Sequence, residues 1–262
     1  MVSQQRFVAK VTGFGIVPQT IPLMERMMIH QGGMMSYHYL THSVGGFIQQ
    51  VAVCYVQRGY WFYVTGRIPA QKDPLQIDHR LLEKYEIDLS KYQRCRRKKA
   101  GIAGIQYIRY EETFLLLATQ GAHPFFRNEH PIRDARRVPI RLFGYAISSK
   151  NGHALVRLDQ ETYRDWEAYF LHLALHRKAD SLVREFRKIP FEPYRPVYQQ
   201  VLSVWKTVND RRKTAGFDLV PYSAIKTKRR LYRPFEPENV GKKPLIGLGE
   251  ELQREADSEH SV

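Results

Sequence analysis

The sequence predicts an α+β protein: a mostly antiparallel sheet of about five strands built from hairpins, flanked by helices, with a disordered C-terminal tail. Three observations carry this. IQYIRYEETFLLLAT holds two strand-like runs that meet at Glu111-Glu112. RLFGYAISSKNGHALVRL alternates apolar and polar residues around Asn151-Gly152, a pair suited to the two positive-φ positions of a tight hairpin turn. Helical periodicity lies outside these hairpins, towards both ends of the chain, and no repeat of solenoid length interrupts the pattern.

Residues 1–43 give a mixed signal, a strand-like RFVAKVTGFG and then a short helix-like LMERMMIHQGGMM whose methionines suit adaptable packing. From Val44 the pattern sharpens. Val44, Phe47, Ile48, Val51, Ala52 and Tyr55 recur at helical spacing until Gly59. YWFYVTGRIP is aromatic and β-branched, which predicts a strand ending before Pro69. Asp73 and Pro74 then supply an N-cap and a first helical residue, and SKYQRCRRKKAG adds a second helix ending at Gly101. After the hairpins, Asp159 caps a helix reaching about Lys178, and a shorter one runs to Arg187. The last long helix starts near Pro196, with Val197, Val201, Val204, Trp205 and Val208 on one face and Gly216 past its end. Composition turns to Pro, Gly and acid from about Pro234. The expected organisation is therefore an N-terminal segment 1–43, one nucleic-acid-binding domain 44–233, and a tail 234–262.

Charge points to the partner. Lys and Arg number 41 against 26 acids, a formal net charge of +15, while 43% apolar residues suffice for a core. Two cysteines without a C-x-x-C pair exclude a disulfide framework and a cysteine zinc site. No apolar leader or bilayer-length run is present, so the expectation is a cytoplasmic protein with no membrane partner. The cations cluster. Lys91, Arg94, Arg96, Arg97, Lys98 and Lys99 crowd one helix; Arg127, Arg133, Arg136, Arg137 and Arg141 line residues 121–141. Arg211, Arg212 and Lys213 end the last helix, and Lys226, Lys228, Arg229, Arg230 and Arg233 follow. Each run alone reads as a solvated face; four together predict a binding surface. The expected phosphate contacts are Arg94, Arg96, Arg97, Lys98, Lys99, Arg133, Arg136 and Arg137, with Tyr107 or Phe125 as a stacking face. Interleaved aromatics favour single-stranded DNA or RNA over smooth duplex. Charge and element order extend this to a protein acting in replication or mobility of a genetic element.

Catalysis is the competing expectation. GAHPFFRNEHPIRDARRVPIR, residues 121–141, places His123, Glu129 and Asp134 among five arginines, after an apolar strand. Such ligands suit Mg²⁺ or Mn²⁺, and the arginines suit a phosphate, which together describe a metal-dependent nuclease or phosphodiesterase. The bland alternative is a Pro-rich connection whose acids pair with their neighbours. The order strand FYVTGRIP, strand TFLLLATQGAH, then a helix bearing Tyr163 loosely resembles rolling-circle initiators and related tyrosine transposases, and implies Tyr163 as nucleophile in a strand transferase. The metal-binding His-hydrophobe-His pair of those proteins is missing here, and the second strand offers His123 alone. His172 and His176, four apart in LHLALH, and His38 and His42 read as surface pairs; Asp73, Asp78, Glu83 and Asp88 read as caps and solvated acids. No P-loop, dinucleotide fingerprint or serine elbow occurs, and no cofactor is certain. A third reading is a non-catalytic basic subunit bound to an acidic protein or ribonucleoprotein.

Overall fold

The computed structural model describes residues 37–237. The strand and helix expected within 1–36, with its methionine cluster, lie outside the described residues, as does the tail beyond 237. Helix α1, Val44–Gln49, is capped by the Ser43 hydroxyl, which accepts the Gly46 N–H. It runs on through a wider π-type turn, Gln50–Tyr55, and a tight one, Val56–Arg58, and ends at Gly59 with φ 94°. Strand β1 is Phe62–Arg67, and helix α2, Pro74–Lys84, starts on the Asp73 cap with proline in its first turn. Helix α3, Lys91–Lys99, follows a reciprocal cap between Ser90 and Gln93. Then come β2 (Ile105–Tyr110), β3 (Thr113–Ala118), the single-turn α4 (Phe125–Asn128), β4 (Arg133–Asp134) and β5 (Ile140–Leu142). Strands β6 (Tyr145–Lys150) and β7 (His153–Leu158) precede α5 (Gln160–His176), α6 (Ala179–Arg187) and α7 (Arg195–Thr214).

The fold is α+β and its strand pairs are antiparallel, but the strands form two sheets, of four in the order β2-β3-β1-β4 and of three in the order β5-β6-β7. The expected single sheet of about five missed β4 and β5, two short strands in the Pro-rich stretch. It also missed a second tight turn. Phe143-Gly144 has φ 54° and 77°, much like Asn151-Gly152 at 51° and 76°. A phenylalanine rarely sits at positive φ. Here its ring is held edge-on by Phe47 and Tyr110, each at 5.4 Å, so packing selects a turn that local preference disfavours.

Alternation along the four-stranded sheet divides the core in two. Tyr63, Ile108, Leu115 and Leu117 face α1 and the second sheet, where Phe47, Ile48, Val51, Ile147 and Val156 complete one buried cluster. Ile105, Tyr107, Leu116 and Ala118 face the other way, onto Tyr85, Ile87 and Phe125. The run FLLLA in β3 is apolar without alternation because its inner residues are covered on both faces. Helices α5, α6 and α7 enclose a third cluster around Phe170 and Phe186, stacked at 4.2 Å.

The domain extends past both expected boundaries, 43 and 233. Residues 39–41 lie beside β2, with Arg109 N–H donating to the Tyr39 carbonyl and Thr41 N–H to the Arg109 carbonyl, each at 2.8 Å. Beyond α7, the C-terminal segment returns to the start of the domain. Buried Glu192 accepts from Lys226 Nζ, Arg230 N–H and Tyr232 Oη at 2.7–2.8 Å. Gln49 and Tyr232 exchange two further bonds, and His42 N–H donates to the Pro234 carbonyl. A Cβ at Gly45 would stand 2.3 Å from the Tyr232 ring, and one at Gly46 3.1 Å from the Pro234 backbone. The glycine pair is what lets this strap lie flat on α1.

Candidate nucleic-acid interface

Helix α3 is built differently from the others. None of its nine residues is buried, six are cationic, and Tyr92 is 82% exposed. Its place depends on the Ser90–Gln93 cap at one end and on backbone contacts after the other. Gly101 accepts from Ala122 N–H at 3.1 Å, and Ala122 accepts from Ala103 N–H at 3.2 Å. A Cβ at Gly121 would lie 2.6 Å from both Ala103 N and the Gly101 oxygen, at φ 146°, so only glycine permits this approach. The close contact seats the basic end of α3 beside the start of the 121–141 segment. Arg133, Arg136 and Arg137 lie on or just after β4, at the other edge of the sheet from β2. Among the described residues, α3 forms one ion pair, Arg97 with Glu86.

The 121–141 segment carries α4, β4 and the start of β5, with its acids engaged. Glu129 accepts from Lys84 Nζ at 2.9 Å and from the Tyr85 hydroxyl. Burial, and then this bond to Glu129, push Tyr85 up to about 12. Asp134 accepts the Arg136 backbone N–H and both sides of its guanidinium at 2.7–3.1 Å, which holds its carboxyl below the usual range. His123 Nδ1 accepts the Phe125 N–H at 3.1 Å. The three expected metal ligands therefore do not converge: among the described residues no group of three His, Cys, Asp or Glu is placed to hold a metal. That removes the geometric basis for Mg²⁺ or Mn²⁺ at this segment.

His123 retains one electrostatic property. Burial, and after it the Arg97 charge, depress its pKa below 6.5. The unfolded chain then takes up the proton first as pH falls, so stability declines from about pH 6.5 to the folded-state pKa and levels off below it. Asparagine keeps an acceptor near the position of Nδ1 without titrating. The melting temperature of His123→Asn should therefore fall less between about pH 7.5 and 5 than that of the unmodified protein; equal falls would remove His123 as a source of acid sensitivity.

Other expected residues move to structural roles. Tyr107 and Phe125 are fully buried, so neither offers a ring to a base. The Tyr107 hydroxyl donates to Asp78 at 2.5 Å, and burial with that bond holds it far above ordinary tyrosines. Asp78, expected in solvent, is fully buried, and it also receives Arg109 through Nε and Nη2 at 2.7–3.0 Å. Tyr163 packs between the sheet and helical clusters and donates to Glu167 at 3.2 Å, which leaves the nucleophile reading without a metal partner among the described residues. Arg212, counted in a surface cluster, is 2% exposed and donates to the carbonyls of Ala174, Arg177 and Asp218, so its charge lies at the C-terminal end of α5. His172 and His176 stack at 4.4 Å on the exposed face of α5. His38 and His42 lie on extended chain, where four residues span about 13 Å, too far to share an ion.

What remains exposed is Arg94, Arg96, Lys98 and Lys99 on α3, with Arg127, Arg133, Arg136 and Arg137 on the following segment. Three part-buried aromatics accompany the second group, and sequence reasoning missed two of them, Trp61 and Phe62. Phe62 and Phe126 meet edge-on at 5.3 Å, and Arg136 lies over Trp61 at 4.3 Å. The signal for Trp61 and Phe62 was the aromatic run GYWFYV, but only the pairing of β1 with β4, Phe62 opposite Asp134, brings it to the arginines. No described helix is long and apolar enough to cross a membrane. No protein-family model matches the chain, and no curated protein is similar to it.

Proposed function

We propose that this protein binds nucleic acid through α3 and the arginines of the 121–141 segment, with single strands as the favoured form and replication or mobility of a genetic element as the setting. The observation that carries the reading is α3 itself: six cations, no acid and no buried residue. A helix without an apolar stripe gains little from packing on its own fold, so its composition answers to an external partner. Arginine forks suit phosphate oxygens, and the exposed Tyr92 adds a ring at the same surface. The segment's acids serve it by orienting cations, as Asp134 does for Arg136.

The test is binding to labelled single-stranded and duplex DNA and RNA over a salt series, with Mg²⁺ or Mn²⁺ in one arm and EDTA in the other. Affinity should fall roughly tenfold or more per doubling of salt if several phosphates are neutralised, and equally in both arms. Binding to none of the four would overturn the proposal and assign the charge to an acidic protein partner. Cleavage confined to the metal arm would replace it with a nuclease.

A further inference from the structure

The arginine over Trp61 does more than sit near an anion. Its guanidinium carbon lies 4.3 Å from the indole centroid and 5.6 Å from the Phe62 centroid, within the range at which a cation is drawn to a π face. Asp134 fixes it there through Nε and Nη2, yet the Arg136 side chain stays 41% exposed. The indole is therefore covered on that side by a surface cation and not by core. Its Nε1–H is buried and has no acceptor among the described residues. Buried donors are normally matched, so the indole is incompletely satisfied by its own fold at the edge of the arginine-rich surface.

We propose that Trp61 is the stacking platform for an unpaired base and that Arg136 is its exchangeable cover. The guanidinium leaves the ring for a phosphate of the incoming strand, and a base takes its place on the indole. The inference rests on the nucleic-acid reading above and gives it a substrate class: a strand with at least one unstacked base. Base and guanidinium compete for one π face, so the exchange keeps the ring covered while the cation turns from Asp134 to a phosphate. Arg133 and Arg137, exposed on either side of Arg136, receive the neighbouring phosphates. Bases in a duplex are already stacked on each other and do not enter.

The experiment follows tryptophan emission of the full chain during titration with oligo(dT) and oligo(U) of about twelve nucleotides, and with a duplex hairpin of similar length. Single strands should quench the emission, and Trp61→Phe should abolish that quenching. Trp61→Leu should weaken single-strand binding about tenfold, in line with the loss of one base–aromatic stack, with duplex binding unchanged. Because Trp61 also packs on the core, Trp61→Tyr serves as the rescue: it keeps a ring and should restore most of the single-strand affinity. In the free protein, Arg136→Gln should raise the accessibility of Trp61 to acrylamide. Quenching that persists in Trp61→Phe, or equal losses for strand and duplex in Trp61→Leu, overturns the proposal. Absence of binding by the unmodified protein overturns the nucleic-acid reading itself, whereas salt-dependent binding without any change in emission overturns the Trp61 platform alone.

Discussion

Glutamine at Arg94, Arg96, Lys98 and Lys99 together should weaken single-strand binding by about 10²–10³-fold at ~0.1 M salt. The estimate follows from counterion release, which contributes about 0.7 to the slope of log K against log salt for each phosphate neutralised on a single strand. Four lost contacts therefore lower the slope by roughly 3, and that change in slope distinguishes lost phosphate contact from a damaged fold. The helix itself should persist. Glutamine has nearly the helix propensity of lysine and arginine, the Ser90–Gln93 cap is untouched, and no buried residue is altered. Arg211→Gln with Lys213→Gln is the matching control, since these exposed cations lie at the end of α7. The measurement is the salt slope of the three proteins side by side. A slope unchanged in the α3 variant would mean that this helix touches no phosphate.

The second large effect concerns stability. Asp78→Ala should cost about 3–5 kcal/mol, because it leaves the Arg109 guanidinium buried without its carboxylate. The Tyr107 hydroxyl loses its acceptor in the same step. At a slope of about 2 kcal/mol per molar urea, the unfolding midpoint drops by roughly 1.5–2.5 M. Asp73→Ala, which removes only the exposed N-cap of the same helix, should cost about 1 kcal/mol. Asp78→Leu combined with Arg109→Met should recover much of the loss, since removing both charges leaves neither stranded. Urea melts of these variants check the ranking, and a Asp78→Ala midpoint no lower than that of Asp73→Ala would show the buried pair to be dispensable.

Elements set by local chemistry were legible in the sequence. The caps at Asp73 and Asp159, the stops at Gly59 and Gly216, and the Asn151-Gly152 turn all fell where short-range preferences place them. What was not legible depends on contacts between distant residues. Phe143-Gly144 turns only because Phe47 and Tyr110 hold the ring. The sequence marks Asp78, Tyr107 and Arg109 merely as an acid, an aromatic and a cation; pairing α2 with β2 seals them together. The same limit applied to the interface. Charge density named α3 and the arginines, but whether an aromatic is a platform or core depends on which face of β1, β2 or α4 it occupies. Trp61 was therefore overlooked, while the buried Tyr107 and Phe125 were expected to stack. His123, Glu129 and Asp134 are close in sequence, yet each is taken by a different neighbour.

The strap over α1 ties the order of synthesis to the order of folding. Gln49 and Tyr232 are bonded across 183 positions, so α1 receives its strap only after Tyr232 has left the ribosome. At about 5–20 residues per second, that helix waits on the order of ten seconds or more with its strap-covered face open. Glu192 waits for less of that time, since its three donors follow it by 34, 38 and 40 positions. A chain halted before Tyr232 would present both defects to the cell at once.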